Sequence, residues 1–374
     1  MSVISSPIPT LCLNPQALVH RGTGSKRKHI KVWARLLTSA PFDTVVEPFG
    51  QGLWVAQALN QAENSTLKTL IAAESLVDIR SIWMAWVSPW WRPEIVSYLD
   101  SWQRMPITES WPVIKGTWER CQKEGEICPE AAAAGLAVRT LTFSGICRDT
   151  PGSGNLNIKW NKSQLGRWQP TIEEILAGKV TGRKVKLNGG YWDNQYYEWL
   201  RGFRSGADEV SVIPGFLEYR LAKDGYQHKW PKAPPTCFQI YDDYAAVQYP
   251  ADTSLTLAVI DPPYVGDVCN PPPSYRSDRH ITPAYFGHRP HAQFTYDMAV
   301  HSVRAALAAG CHTVIACNYD SDRLHGDYLA LASEFGYSCD RTVIGELKAL
   351  NNNAKKTVTQ STYQDTYWVF GKVD

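Results

Sequence analysis

Short apolar runs that end on polar residues recur along this chain and alternate with helix-like patterns. Four of these runs read "FDTVVEPFG", "LKTLIAAES", "LTLAVIDPPY" and "CHTVIACNYD". Patterns of helical period, such as "LWVAQALNQA" and "FTYDMAVHSVRAALAAG", follow or precede them. Strands that alternate with helices build a doubly wound α/β sheet, in which ligands bind beyond the carboxyl ends of the strands. We therefore expect an α/β fold that binds its ligand at that edge of the sheet.

The alternating pattern is interrupted, and this divides the chain into three regions. Residues 1–80 and 236–374 carry the strands and helices and are expected to form one domain. Residues 81–144 read as a helical connecting segment, in which "PEAAAAGLAVRTLTF" is the clearest helix. Residues 145–235 are rich in Gly, Asn, Trp, Tyr and basic residues and lack a sustained period. This last region is predicted to be an insertion on the sheet.

Composition argues against several classes of protein. The formal net charge is only +2, so the total charge does not by itself indicate a nucleic-acid partner. The nine cysteines are scattered, without a C-x-x-C pair or a Cys/His cluster of zinc spacing, so we expect free thiols and no metal. No apolar run reaches the roughly 18–20 residues of a membrane span, and the first residues lack a signal-peptide pattern. A cytoplasmic protein without a membrane partner is therefore predicted.

A glycine-containing turn follows the first predicted strand. The sequence "VVEPFGQG" places candidate ligand-binding residues there, namely Glu47, Pro48, Phe49, Gly50 and Gly52. Glycines allow a ligand to approach the backbone, and a helix starting near Leu53 would direct its first amides at that ligand. The next strand ends in Glu74, where doubly wound sheets place a ribose-binding carboxylate. A plain tight turn and a surface carboxylate are the alternatives, and the missing third glycine argues against an NAD site.

The run "LAVIDPPY" ends on a carboxylate, two prolines and an aromatic ring: Asp261, Pro262, Pro263 and Tyr264. An exocyclic amino group on adenine or cytosine is a poor nucleophile, because its lone pair is delocalised into the ring. Asp261 and the carbonyl of Pro262 would accept hydrogen bonds from both N–H groups and so localise that lone pair. Proline fixes the carbonyl in place, and Tyr264 would stack on a base flipped out of its duplex. A strand-ending turn with an aspartate cap is the alternative.

Together these features resemble amino-methyltransferases that use S-adenosylmethionine (SAM), because "EPFGQG" lies upstream of "DPPY". The motif order, in which a cofactor turn and a long insertion precede "DPPY", is similar to the alpha-type order of Dam-like, D12-class DNA adenine-N6 methyltransferases. The stretch "HRGTGSKRKHIKVWARLL" resembles that family's leading motif, and Lys26 is the matching lysine. The stretch "LTFSGICRDTPGSGNLNIKW" is similar to the family's F-N-G-x-x-R and G-x-F-N-V segments. The resemblance covers most of residues 18–80 and 131–345.

The resemblance implies a Rossmann-like SAM-dependent methyltransferase sheet with an inserted target-recognition region. Residues 1–80 and 236–374 would then be the catalytic domain, and SAM would lie on the 47–54 turn. Glu74, Asp243 and Asp261 would hold SAM, with Lys26 at the boundary of cofactor and base. Asp243 (or Asp242) is assigned near the cofactor's adenine because "IYDDYAAV" resembles the family's segment there. A further S-N-x-D motif is matched by Cys317, Asn318, Tyr319 and Asp320.

The predicted insertion carries an excess of positive charge. Residues 148–232 contain 14 Lys and Arg against 9 Asp and Glu, and aromatic residues are interleaved with them, as in "GGYWDNQYYEWL". Basic residues neutralise phosphates, and Arg or Asn read base edges, so double-stranded DNA is the expected partner. The candidate DNA-binding residues are Arg148, Asn155, Asn157, Lys159, Arg183, Lys184, Lys186, Arg201 and Arg204. For any single one of them, a solvated surface charge or a packing role is the alternative.

The implied activity is methyl transfer to N6 of adenine in DNA, and several alternatives stay open. Cytosine-N4 methylation uses the same pocket chemistry, and RNA is a further candidate substrate. The glycine turn is one residue shorter than in the family, which keeps open a decayed protein that binds DNA without modifying it. A hydrolase or dehydrogenase lacks its usual motifs. We expect a monomer of bacterial or phage origin, with a C2 dimer on a palindromic site as the alternative.

Overall fold

The computed structural model describes residues 12, 32–33, 37, 41–87, 91–105, 107–141, 235–262, 292–347 and 363–373. The chain forms two compact units. The first contains Met1–Pro15, Lys26–Ser75 and Pro234–Asp374, and the second contains Gln16–Ser25 and Leu76–Ala233. The predicted insertion at 145–235 lies outside the described residues, apart from residue 235. The predicted domain boundaries therefore stay predictions.

A seven-stranded mixed sheet forms the first unit. Its strands are β1 (Thr44–Glu47), β2 (Thr69–Ala73), β3 (Cys237–Tyr241), β4 (Thr256–Ile260), β5 (Thr313–Tyr319), β6 (Tyr337–Leu347) and β7 (Tyr363–Lys372). Their order is β3-β2-β1-β4-β5-β7-β6, in which the first five are parallel and β7 is antiparallel to both of its neighbours. The prediction of an α/β fold is confirmed at this level, as a mostly parallel seven-stranded mixed sheet.

The described helices divide between the two units. They are α1 (Trp54–Asn60), α2 (Val77–Val87), α3 (Trp91–Arg104), α4 (Ile107–Glu124), α5 (Pro129–Leu141), α6 (Ala292–Ala308) and α7 (Asp322–Phe335). Helices α1, α6 and α7 belong to the first unit, and α2 to α5 belong to the second. The segment 81–144 was predicted to be helical. Its described residues up to Leu141 lie in α2 to α5 or in the short connections between these helices.

The central parallel strands are apolar because both of their faces are covered. All four residues of β1 and all five of β4 are buried, and they read "TVVE" and "TLAVI". Val46 of β1 pairs with Ile71 of β2 on one side and with Ala258 of β4 on the other. Strands buried on both faces read as near-continuous apolar runs, which is why these strands could be found in the sequence.

Aromatic side chains attach α7 and the N-terminal part of the chain to β7. Tyr328 of α7 makes edge-on contacts with Trp368 and Phe370, at ring-centroid distances of 5.2 and 5.6 Å. Trp33 makes a similar contact with Tyr367 at 5.0 Å. Successive side chains of a strand point to opposite faces, so Tyr367 and Trp368 anchor the two faces of the sheet. Edge-on aromatic pairs of this kind add about 0.5–1.5 kcal/mol each beyond area burial.

The second unit is organised around Asp78 of α2, which is fully buried. The side-chain amide of Gln122 donates to its Oδ1 at 2.8 Å, and the Gln122 oxygen accepts from the Val77 N–H at 3.0 Å. Gly135 of α5 lies so close that an added Cβ would be 2.5 Å from the Asp78 Cβ. The glycine therefore allows α5 to pack directly on α2.

Candidate active site

Four carboxylates follow four adjacent parallel strands at one edge of the sheet. Asp243 comes after β3, Glu74 after β2, and Asp261 after β4, while Glu47 is the last residue of β1. Adjacent strands lie about 4.8 Å apart, so four of them span about 15 Å. The chain leaves β1 toward β2 on one side and β4 lies on the other, so the topological switch point is between β1 and β4. Ligands of open α/β sheets bind at that place.

Glu47 is buried beneath the turn that follows β1. Its side chain is only 5% exposed, and its Oε1 accepts a hydrogen bond from the Ala56 N–H at 2.8 Å. Burial is the main cause that raises the pKa of this carboxyl to about 8; the Ala56 bond opposes the rise and the charge of Asp261 adds to it. Glu47 is therefore a neutral carboxylic acid at pH 7, and it lies close enough to Asp261 for that carboxylate to raise its pKa.

The glycine turn differs from its sequence-based description. Helix α1 begins at Trp54, is seven residues long, and has its Ala56 amide bonded to Glu47. The expectation that its first amides point at a ligand gains no support from this arrangement. Instead, the turn is tied to the neighbouring strand, because the Gly50 N–H donates to the Ala73 carbonyl at 2.9 Å.

Backbone strain in this turn falls on residues other than glycine. Gln51 and Leu53 have φ angles of 32° and 50°, in the left-handed region that glycine usually fills. Gly52 meets a different need, since an added Cβ would lie 2.6 Å from Nε1 of Trp54. Strained residues of this kind cluster at functional sites, because the surrounding structure has to hold them. The sequence signalled the turn but not which of its residues are strained.

Glu74 and Asp243 occupy the ends of the next two strands. Glu74 is 7% exposed, its Oε1 accepts from the Ser75 hydroxyl at 3.4 Å, and its N–H donates to the Tyr241 carbonyl at 3.1 Å. Asp243 is exposed and caps the short 3-10 turn Tyr244–Ala246, accepting from the Ala245 N–H at 2.9 Å. Both carboxylates are thus held at the carboxyl edge, on two adjacent strands.

Phe49 of the glycine turn was a predicted site residue, but its aromatic partner Tyr244 was missed by sequence reasoning. Phe49 and Tyr244 stack with ring centroids 5.2 Å apart and planes inclined by 27°, and both side chains are half-buried. His301 of α6 lies edge-on to Tyr244 at 6.1 Å. The aromatic residue next to Asp243 was a usable signal for this pair, whereas His301 reaches it from a helix that is distant in sequence.

Asp261 and Pro262 are the only members of the "DPPY" motif that the structure describes. Asp261 is half-buried and follows β4 directly, and Pro262 is buried. The remaining predicted site residues lie outside the described residues: Lys26, Pro263, Tyr264, Arg148, Asn155, Asn157, Lys159, Arg183, Lys184, Lys186, Arg201 and Arg204. The structure thus brings together the predicted residues that follow β1 to β4, and the DNA-binding predictions stay untested.

The S-N-x-D segment after β5 has a structural role in its described part. Oδ1 of Asp320 accepts from Nε and Nη2 of Arg341 at 2.9 and 2.7 Å and from the Thr366 hydroxyl at 2.9 Å. These bonds connect the end of β5 to β6 and β7. We therefore assign Asp320 to holding the sheet rather than to contacting a ligand.

Comparisons with known proteins leave the chain without a family assignment. No protein-family model matches it, and no curated protein matches it either. Within the part of the chain that the structure describes, no helix is long and apolar enough to cross a membrane. The same residues contain no group of three or more His, Cys, Asp or Glu side chains that could hold a metal ion.

Proposed function

We propose that this protein is a SAM-dependent methyltransferase that methylates the N6 amino group of adenine in DNA. The observation that carries the proposal is the arrangement at the carboxyl edge, where Asp261 and Pro262 follow β4 immediately beside the Glu47 turn at the switch point. Glu74 and Asp243 extend the same edge on the other side of β1. In this proposal the residues at that edge would bind the cofactor and the acceptor amine side by side.

Sheet topology argues against a nicotinamide enzyme. Dinucleotide-binding domains have the strand order 3-2-1-4-5-6, whereas here antiparallel β7 lies between β5 and β6. The mostly parallel part of the sheet is compatible with the Rossmann-like sheet that the sequence resemblance implies. Fold alone does not give function, so the proposal rests on the residues at the edge.

The residues at the edge fit SAM chemically. A carboxylate at the position of Glu74 accepts hydrogen bonds from a ribose diol, and the exposed Asp243 can accept from the amino group of an adenine ring. The half-buried rings of Phe49 and Tyr244 offer aromatic surface beside them. When bound, SAM supplies a methyl group on a positively charged sulfonium, and a site lined by carboxylates favours a cation.

Asp261 and Pro262 would hold the acceptor amine. The Asp261 carboxylate accepts from one N–H of the amine and the Pro262 carbonyl from the other, which localises the nitrogen lone pair. Glu47 is neutral at pH 7 and so is no proton acceptor there; the Asp261 carboxylate would take the proton that the methylated nitrogen releases. The second proline and Tyr264 complete the motif in the sequence.

The test is nucleoside mass spectrometry of unmethylated plasmid DNA incubated with the protein and SAM that carries a deuterated methyl group. Labelled N6-methyladenine is the expected product. The variant Asp261→Ala removes the acceptor carboxylate and should lower the rate by about 10²-fold or more. The matched control is Asp340→Ala, which removes an exposed aspartate from β6 and should retain the wild-type rate.

Other outcomes have distinct meanings. Labelled N4-methylcytosine would keep the fold and the pocket chemistry but overturn the acceptor. SAM binding measured by calorimetry without any label on DNA would overturn DNA as the substrate and direct the assay to RNA. A folded protein with no SAM affinity would refute the enzyme and support the DNA-binding alternative.

A further inference from the structure

Two cysteine thiols lie in one packed cluster of the second unit, whereas the described residues assigned to methyl transfer belong to the first. Cys121 lies on α4 and is 1% exposed, and Cys128 immediately precedes α5 and is half-buried. Cys128 packs against the cluster that Cys121 forms with Val77 and Ala131, and both thiols are free. The C-x6-C spacing is no recognised redox or metal motif, so the contact arises from the fold alone.

The turn between α4 and α5 places Cys128 against the cluster that contains Cys121. Gly125 ends α4 with a φ of 75°, and its N–H donates to the Cys121 carbonyl at 3.0 Å. The Cys128 N–H donates to the hydroxyl of Ser81 on α2 at 3.3 Å. The Cys128 sulfur accepts from the Ala131 N–H at 3.4 Å. Cys128 is therefore held by its backbone and its side chain, with its sulfur directed along the start of α5.

The two thiols differ in access. Cys121 packs in an apolar cluster with Val77 and Ala131, and Cys128 lies at the edge of that cluster. Burial, followed by the charge of Cys128, raises the pKa of the Cys121 thiol to about 12. Cys121 is thus a protonated, sheltered thiol at neutral pH, and Cys128 is the one that a soluble reagent reaches.

We propose that Cys121 and Cys128 form an oxidisable dithiol site, which a soluble hydroperoxide converts into an intramolecular disulfide. The site is independent of the proposed methyl transfer, which uses no cysteine. Redox-sensing cysteines are accessible and often have a resolving thiol beside them. Here Cys128 is half-buried and packs against the cluster that contains Cys121.

The reaction balances in two steps. The Cys128 thiolate attacks one peroxide oxygen, the O–O bond breaks, and a sulfenic acid forms while the other oxygen leaves as water or an alcohol. The Cys121 sulfur then attacks the Cys128 sulfur, the S–O bond breaks, and the Cys121 proton leaves with the hydroxide as water. In total, two thiols are oxidised and one hydroperoxide is reduced.

The experiment uses the full chain treated with increasing hydrogen peroxide. Remaining thiols are then blocked with N-ethylmaleimide in denaturant, and peptides are identified by mass spectrometry before and after reduction with dithiothreitol. A dithiothreitol-reversible Cys121–Cys128 crosslink is expected, at peroxide concentrations that leave the exposed Cys237 of β3 alkylated. Cys237 serves as the internal control, because it is exposed on a different unit.

Two variants sharpen the result. In Cys121→Ala the resolving thiol is gone, so Cys128 should accumulate as a dimedone-reactive sulfenic acid and then as a sulfinic acid. In Cys128→Ala, Cys121 should stay fully alkylated at the same peroxide concentrations. If Cys121→Ala folds poorly, the peroxide titration of the wild-type chain alone still tests the proposal. The proposal is overturned there if Cys128 becomes sulfinic while Cys121 stays alkylated, or if both stay alkylated once Cys237 is oxidised.

Discussion

Glu47 offers a quantitative test of the site, because its carboxyl is buried and protonated at neutral pH. The pKa of this group is raised from 4.5 to about 8, chiefly by burial. Between those two values the folded protein holds a proton that the unfolded chain has released. Raising the pH through this window therefore lowers the free energy of unfolding by about 1.4 kcal/mol per pH unit.

Over the full window the free energy of unfolding falls by about 5 kcal/mol, because the carboxyl pKa is about 8 in the folded protein and 4.5 in the unfolded chain. The stabilising contribution of the proton is fully present below about pH 4.5 and is lost as the pH rises through about 8. Glu47→Gln is neutral at every pH, and its side-chain oxygen can keep the bond from the Ala56 N–H. Its stability should therefore lack this pH dependence.

The assay is urea unfolding of wild type and Glu47→Gln at pH 5 to 9, followed by tryptophan fluorescence. The free energy of unfolding of the variant minus that of wild type should rise steadily toward pH 8 and then level off. The amide group of Gln adds an offset that does not depend on pH, so the slope is the quantity that matters. Glu63→Gln is the matched control, because Glu63 is exposed in the same unit. A flat or falling difference for Glu47→Gln would refute the neutral carboxyl.

Three further predictions concern packing and backbone strain, each measured by chemical denaturation. Gly52→Ala places a Cβ 2.6 Å from Trp54 Nε1 and should lower the free energy of unfolding by about 1–3 kcal/mol. In a Trp54→Ala background most of this loss should disappear; if the two losses are instead fully additive, the proposed clash is wrong. Gln51→Gly should be more stable than Gln51→Ala by about 1 kcal/mol, because φ is 32° there. If the alanine variant is the more stable one, as it is in regular helices and strands, the backbone at Gln51 is not strained. Tyr328→Phe removes a buried hydroxyl without a hydrogen-bond partner among the described residues and should stabilise the fold by about 1 kcal/mol; a loss of stability would reveal a partner for that hydroxyl.

Part of the fold could be predicted because its physical causes are local. The strands that carry Val46, Ile71, Val259 and Ile315 are buried on both faces, so they read as apolar runs, and a polar residue or a glycine follows each. The ends of these strands in turn predicted which carboxylates gather at one edge. Both inferences need only the sequence near each strand.

The rest of the fold depends on pairing between segments that are distant in sequence. Nothing near Thr366 indicates that β7 enters the sheet between β5 and β6, since that placement follows from contacts with Asn318 and Val343. The predicted patterns accordingly identified four of the five parallel strands, β1, β2, β4 and β5, and left β3, β6 and β7 undescribed.

The candidate site, like the fold, could be predicted from the sequence only in part. The positions of Glu47 and Asp261 were predicted, but the protonation of Glu47 depends on burial and on its bond from Ala56, which only the fold reveals. The stacking of Phe49 on Tyr244 likewise joins residues that follow β1 and β3. Residue types thus indicated the chemistry, whereas charge state and contacts required the assembled sheet.

The position of β7 has a consequence for how the protein is made. During synthesis, β5 and β6 leave the ribosome before the strand that separates them, so the free edge of β5 stays unpaired until residues 363–372 have emerged. An unpaired edge of apolar strands invites association with other chains. The seven-stranded sheet can therefore close only once β7 has emerged, and nascent chains stalled between β6 and β7 should be the species that most require chaperones.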